Sequence, residues 1–239
     1  SLTKNWARIE ATYETVNLVK AELPHTTSLI GFAGSPWTVA TYMVEGQSSK
    51  DYAKVKAWAY RDPSGFSVLI ELLVEATVKH LSKQILAGAD VVKLFDSWAG
   101  VLSPSEFKKW VIEPTKDICL RLKNKHPHIM VIGFPKGAGV GYKDFINQTG
   151  IDAVSIDTAV RTKWAAQELQ SIKPVQGNLD PISLLVGGKQ MIEQAKQIFS
   201  DLKKGPFVFN LGHGILPSTP VENVAELVRF LQNLSQEVR

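Results

Sequence analysis

SLIGFAGSPWTVATYMVEG, residues 28–46, runs from an apolar strand into a tight turn and on into a helix without a spare residue. SLIGFA (28–33) has the short, apolar character of a strand. Gly34-Ser35-Pro36 breaks it, Trp37 stands behind the turn, and the helical run that follows carries Tyr42 on its far side. The same strand-then-helix unit recurs along the chain. Further strands are expected at VVKLFD (91–96), IMVIGF (129–134), AVSID (153–157), PVQGNLD (174–180) and FVFNLG (207–212). Each is short, mostly apolar and closed by Gly, Asp or Pro, as strands covered on both faces are. Amphipathic helices lie between them. The longest is expected at 66–87, with Leu69, Leu72, Leu73, Ala76 and His80 forming its stripe. Ser103-Pro104-Ser105-Glu106 opens another helix, and Gly88, Gly150 and Gly205 close others. Six consecutive βα units imply a parallel sheet, and their even spacing without a break in strand order favours an α/β barrel over an open, doubly wound sheet.

Composition sets the outer limits. The 239 residues are 44% hydrophobic and 21% charged, enough for one sizeable core, with no linker or low-complexity tract to divide it. The expected organisation is one barrel domain spanning 1–239. Lys and Arg exceed Asp and Glu by 27 to 23, for a net charge of +4, which suits an anionic ligand and falls short of a nucleic-acid footprint. The single cysteine, Cys119, excludes a disulfide framework and a multi-thiolate metal site, and fits a reducing, cytoplasmic compartment. There is no signal peptide and no apolar run near 18 residues, so neither export nor a membrane is expected. The chain starts with Ser1 rather than Met, which points to processing or truncation.

In a βα barrel the chemistry sits at the carboxyl ends of the strands. Those ends read Gly34-Ser35-Pro36-Trp37, Phe95-Asp96-Ser97-Trp98, Phe134-Pro135-Lys136-Gly137, Asp157-Thr158, Asn178-Leu179-Asp180-Pro181 and Asn210-Leu211-Gly212-His213-Gly214. Competing motifs fail. Gly137-Ala138-Gly139-Val140-Gly141 is not the dinucleotide fingerprint, and Gly188-Lys189 lacks the rest of a phosphate-binding loop. No nucleophile elbow and no metalloprotease His pair occurs.

Taken in order, GFAGSPWTVATYMVEG, LFDSWAG, GFPKGAG, SIDTAV, VQGNLDP and FNLGHGILPSTPVENV resemble the uroporphyrinogen decarboxylase family of haem biosynthesis, from about residue 10 to the carboxyl end. The resemblance implies a (β/α)8 TIM-type barrel, of which six of eight βα units are visible in this chain. It implies a homodimer that removes carbon dioxide from the four acetate side chains of uroporphyrinogen III, giving coproporphyrinogen III, with no metal and no organic cofactor. The family's arginine-rich motif and central aspartate have no counterpart in residues 1–27, whose NWARIEATYETVNLVKAEL (5–23) reads as a single helix. An amino-terminally incomplete barrel, inactive by itself, is the expectation.

By resemblance Tyr42 is the cleft tyrosine, hydrogen-bonding a substrate carboxylate or relaying a proton. Its spacing alone equally suits a tyrosine packed between helix and sheet. Ser97 would bind a carboxylate with Phe95 as an apolar wall, although a serine there also suits a helix cap or turn. His213, between Gly212 and Gly214 on a backbone expected to be free, would donate to a carboxylate, although a lone histidine there also suits a satisfied loop residue. His25, His80, His126 and His128 lie away from the rim. Lys136 could hold a carboxylate or pack its stem along the rim, and Asp96 and Asp157 are assigned no chemical step. Two other readings share the barrel or the cleft. One is a corrinoid- or thiol-dependent methyltransferase, which a lone Cys119 does not suit; the other is a tetrapyrrole-binding protein without activity.

Overall fold

A computed structural model describes residues 8–47 and 49–236. The chain divides into two compact units, residues 1–153 and 154–239. The first contains α1 (Glu10–Glu22), β1 (Ile30–Gly34), α2 (Pro36–Glu45), α3 (Ala53–Arg61), α4 (Pro63–Leu86), β2 (Val91–Asp96), α5 (Pro104–Phe107), α6 (Glu113–Lys125), β3 (Met130–Pro135) and α7 (Tyr142–Thr149). β1 pairs with β2, and β2 with β3, both parallel, with Ile30 opposite Val91 and Val91 opposite Met130. Parallel neighbours need a crossover, and the helices between the strands supply it. The expected strands stand within two residues of their observed bounds. Of the helix expected at 5–23, α1 covers 10–22, and residues 5–7 lie outside the described residues.

The stripe expected on the longest helix is corrected. α4 buries Phe66, Ile70, Leu73, Val74, Thr77, Val78 and Leu81, whereas Leu72 is 45% exposed and Leu69 only half-buried. Leucines occur on both faces of this helix, so counting them rotates the buried stripe away from its true position. Phe66 is its anchor. It is fully buried, with its ring against Trp37, Trp58 and Trp110 at centroid distances of 6.0, 5.3 and 4.8 Å, all edge-to-face. Edge-to-face pairs gain about 0.5–1.5 kcal/mol each beyond their burial.

Between α5 and α6 the backbone widens into a π turn at Lys108–Ile112. Pro114 explains it: proline offers no N–H to the preceding turn, and its ring crowds the carbonyl four residues back, that of Trp110. On β1, the Gln84 side chain accepts from Phe32 N at 3.0 Å and donates to Phe32 O at 2.8 Å, occupying both main-chain groups as a neighbouring strand would.

The second unit contains β4 (Ala153–Ser155), α8 (Thr162–Glu168), β5 (Val175–Leu179), α9 (Pro181–Val186), α10 (Gly188–Leu202), β6 (Phe207–Leu211) and α11 (Val221–Gln236). β4 pairs with β5 and β5 with β6, again parallel. β5 is buried along its whole length, but β6 is not the fully covered strand expected, since Val208 is 51% exposed. α10 buries Met191, Ala195, Ile198 and Leu202, a clean helical stripe against its own unit.

Candidate active site

In the first unit, the turn quoted at the outset is shaped by what it must meet. Ser35 is extended, with φ −69° and ψ 154°, and Pro36 takes the first helical turn, where a missing N–H costs nothing. Ser35 N donates to Phe95 O at 2.8 Å, so the strand ladder continues one residue into the turn. Trp37 is wholly buried, and its Nε1 donates to Trp98 O at 3.0 Å. Thr38 Oγ1 donates to Asp96 Oδ1 at 2.6 Å and accepts from Trp98 N at 3.3 Å. The loop after β1 is thus tied at four points to the end of β2.

The loop after β3 joins the same rim. Lys136 N donates to Asp96 O at 3.1 Å, and Gly100 N donates to Lys136 O at 3.0 Å. Here glycine is required for close approach. A Cβ on Gly100 would stand 2.5 Å from Gly137 O, which is backbone and cannot yield.

On this frame Tyr42 is 51% exposed, with its ring edge-on to Trp98 at 6.3 Å. The alternative of a tyrosine packed between helix and sheet does not describe it. Tyr52 also packs on Trp98, its ring centroid at 5.0 Å, buried and in the left-handed region at φ 51°. Burial, then its neighbours Tyr42 and Glu45, push its phenol up. Ser97 is half-buried in the turn after β2, and the next helical turn takes Trp98, not Ser97, as its N-terminal flank, so the serine is not spent on a cap. Phe95 is half-buried between Phe32 and Phe134, edge-to-face at 5.7 and 5.8 Å, and forms an aromatic wall with the 61% exposed Phe32. Lys136 Nζ lies 5.6 Å from the Trp98 ring centroid, matching the packed-stem alternative.

Two ionisable residues of β2 have surroundings that the sequence did not reveal, Lys93, which it left unremarked, and Asp96, which it assigned no chemical step. Lys93 is 6% exposed, its Nζ 4.7 and 5.1 Å from the Phe95 and Phe134 ring centroids, and burial pulls it down to about 8. A lysine in the middle of VVKLFD was the available signal. Asp96 is 2% exposed, and burial pushes it up to about 7 despite hydrogen bonds from Thr38 that pull it down. Nothing in the sequence marks Thr38 as its partner.

The second unit carries the rest. Asn178 Nδ2 donates to Asp157 O at 2.7 Å and to Val160 O at 2.9 Å, fixing the end of β5 to the loop after β4. Asp157 Oδ1 accepts from Ala159 N at 2.9 Å, and Asp180 caps α9 through Ile182 N at 2.8 Å. His213 is exposed. The free backbone expected around it is corrected on one side. Gly212 is hemmed in, since a Cβ there would meet Thr158 Cγ2 at 2.6 Å and Thr158 N at 2.7 Å, while Gly214 has open space. Tyr42, Phe95 and Ser97 thus all lie in the first unit, Tyr42 touching Trp98, the residue after Ser97, and His213 belongs to the second.

Cys119 is buried in α6, and burial pushes its thiol up to about 12, so it offers no thiolate. Among the described residues no three His, Cys, Asp or Glu side chains group as metal ligands, and no helix is long and apolar enough to cross a membrane.

Among solved structures, a methyltransferase from Methanosarcina mazei superimposes with a TM-score of 0.80 at 20% identity, over 95% of this chain and 65% of its own. A B12-independent methionine synthase from Shewanella does so with 0.63 at 10% identity, over 95% and 67%. At such identities the likeness is one of fold, and the fold is the α/β, TIM-type barrel architecture, with six βα units among the described residues. Sequence likeness is much closer elsewhere. Uroporphyrinogen decarboxylase from Rhodospirillum rubrum is 52% identical over 225 residues, 94% of this chain and 65% of that protein. The enzyme of the same name from Novosphingobium aromaticivorans is 48% identical over 229 residues, 96% of this chain and 67% of that protein. The chain thus spans about two thirds of the length of the curated relatives it matches. The family model described as Uroporphyrinogen decarboxylase (URO-D) matches residues 2–234, and the chain belongs to that family.

Proposed function

We propose that the protein to which this chain belongs decarboxylates the four acetate side chains of uroporphyrinogen III to give coproporphyrinogen III. The observation that carries this is the likeness of the chain to a uroporphyrinogen decarboxylase, at 52% identity; Phe95 and Ser97 at the end of β2 and Tyr42 on α2, its ring against Trp98, support it.

The substrate's own chemistry sets what the site must do. Losing carbon dioxide from a pyrrole acetate drives an electron pair toward an electron-rich ring. Protonation of the ring at carbon first makes it a cationic sink. Carbon dioxide then leaves, a second proton converts the exocyclic carbon into the methyl group, and loss of the first proton from the ring carbon restores the pyrrole. Each cycle therefore consumes one proton and turns one acetate into a methyl group and carbon dioxide. The ring performs the electron-sink role that a cofactor often supplies, so the reading needs neither metal nor organic cofactor. Residues must hold the macrocycle, bind its carboxylates and deliver protons.

Tyr42 hydrogen-bonds an acetate carboxylate or relays a proton, Ser97 donates to a carboxylate, the Phe95 wall packs on the macrocycle, and His213 donates to a further carboxylate. The lone, buried Cys119 does not favour the thiol-zinc methyltransferase reading. The same proposal includes one barrel domain through both units, a homodimer and a cytoplasmic location. It also includes inactivity of these 239 residues assayed alone, supported by six strands among the described residues where an eight-stranded barrel is built.

The test is product analysis of Tyr42→Phe, Ser97→Ala and His213→Asn in the complete protein. Each removes one polar contact to a carboxylate, worth about 1–3 kcal/mol when the partner is left buried. Slower turnover or accumulation of partly decarboxylated porphyrinogens is expected from a folded protein. Three variants with wild-type product profiles would overturn the residue roles. Binding of the tetrapyrrole without turnover by the wild type would overturn the activity.

A further inference from the structure

The buried carboxyl of Asp96 is only half satisfied. Thr38 Oγ1 donates to its Oδ1 at 2.6 Å, while Oδ2 is buried with no hydrogen-bond partner among the described residues. For packing alone this is a poor choice, because a partly satisfied buried polar group is less favourable than an apolar one of similar size. The other end of the bond shows what the group achieves. Thr38 also accepts from Trp98 N, so one hydroxyl joins α2, the end of β2 and the loop that carries Ser97 and Trp98. Thr38 and Tyr42 are four residues apart on α2, on one face. Tyr42 in turn sets its ring against Trp98.

We propose that Asp96 is a positioning residue of the candidate active site: through Thr38 it sets where Tyr42 and the Ser97-Trp98 loop stand. Its kinetic consequence rests on the decarboxylase reading, while the anchoring itself rests on these contacts alone.

The experiment uses the complete protein and the variants Thr38→Val, Asp96→Leu, Asp96→Asn and Tyr42→Phe. Thr38→Val keeps the side-chain shape and removes the hydroxyl, so it carries the test if Asp96→Leu fails to fold. Anchoring predicts amide hydrogen exchange over residues 36–45 faster by about tenfold in Thr38→Val, with α10 unchanged. Positioning predicts that kcat per folded molecule drops by about tenfold in Thr38→Val and Asp96→Leu while KM stays within about twofold. Asp96→Asn, whose carbonyl still accepts from Thr38, should recover most of what Asp96→Leu loses. In a Tyr42→Phe background the Asp96→Leu loss should shrink to less than about half, since both changes act through one side chain. Fully additive losses, no recovery by Asn, or unchanged exchange in α2 would overturn the proposal. A wild type without decarboxylation would sink the functional reading and leave the exchange measurement to decide the anchoring.

Discussion

Replacing Asp96 by Asn should make the protein more stable as the solution becomes more alkaline, against the usual expectation for losing a native hydrogen-bonded carboxylate. Burial holds the Asp96 carboxyl at about 7, far above its ordinary 3.8. An unfolded chain releases that proton near the ordinary value, while the folded chain keeps it until about 7. Across this window the unfolded state binds fewer protons, so stability falls as pH rises from about 4 to about 7 and is level beyond. At 1.36 kcal/mol per pH unit the whole window is worth on the order of 4 kcal/mol, and the part above about pH 5 about 3 kcal/mol. Asparagine retains the acceptor for Thr38 and has no proton to release. The assay is urea unfolding of wild type and Asp96→Asn, followed by tryptophan fluorescence, at a series of values between about pH 5 and about pH 8. The other titrating groups are common to both proteins and cancel in the difference. That difference should grow in favour of Asn by about 3 kcal/mol across the range. Curves that stay parallel would refute the argument, because a carboxyl ionised throughout in both states contributes no slope.

Lys93→Met should stabilise the protein at neutral pH by about 2 kcal/mol, measured in the same way, because burial holds the amine at about 8 and the fold disfavours its charged form. That gain should fade as pH rises from about 8 to about 10.5, where the unfolded lysine also loses its charge. Gly100→Ala forces a Cβ to within 2.5 Å of Gly137 O and should cost about 1–3 kcal/mol. It should also lower turnover through the displaced Lys136 loop, read by thermal unfolding and product analysis side by side. Exhaustive chelation of the complete protein should leave the decarboxylation rate unchanged. A stoichiometric zinc lost together with activity would instead move the reading to a methyltransferase.

Most of the architecture was legible in the chain because the relevant forces act between near neighbours. Strands covered on both faces read as short apolar runs, and VVKLFD occupies residues 91–96 as expected. The turn at Gly34-Ser35-Pro36 announces where a strand becomes a helix, and so places Tyr42 on that helix. The order of motifs identified the family. What the sequence left open were the properties set by residues distant along the chain. The buried face of α4 depends on which neighbours cover it, and leucines on both sides conceal the answer. Gly212 looks like a source of freedom until Thr158 is seen pressed against it. Asp96 looks like any strand-end aspartate, because its partner Thr38 lies 58 residues earlier. Only the tertiary structure brings the two together away from water, where the low dielectric that raises the carboxyl's proton affinity exists at all.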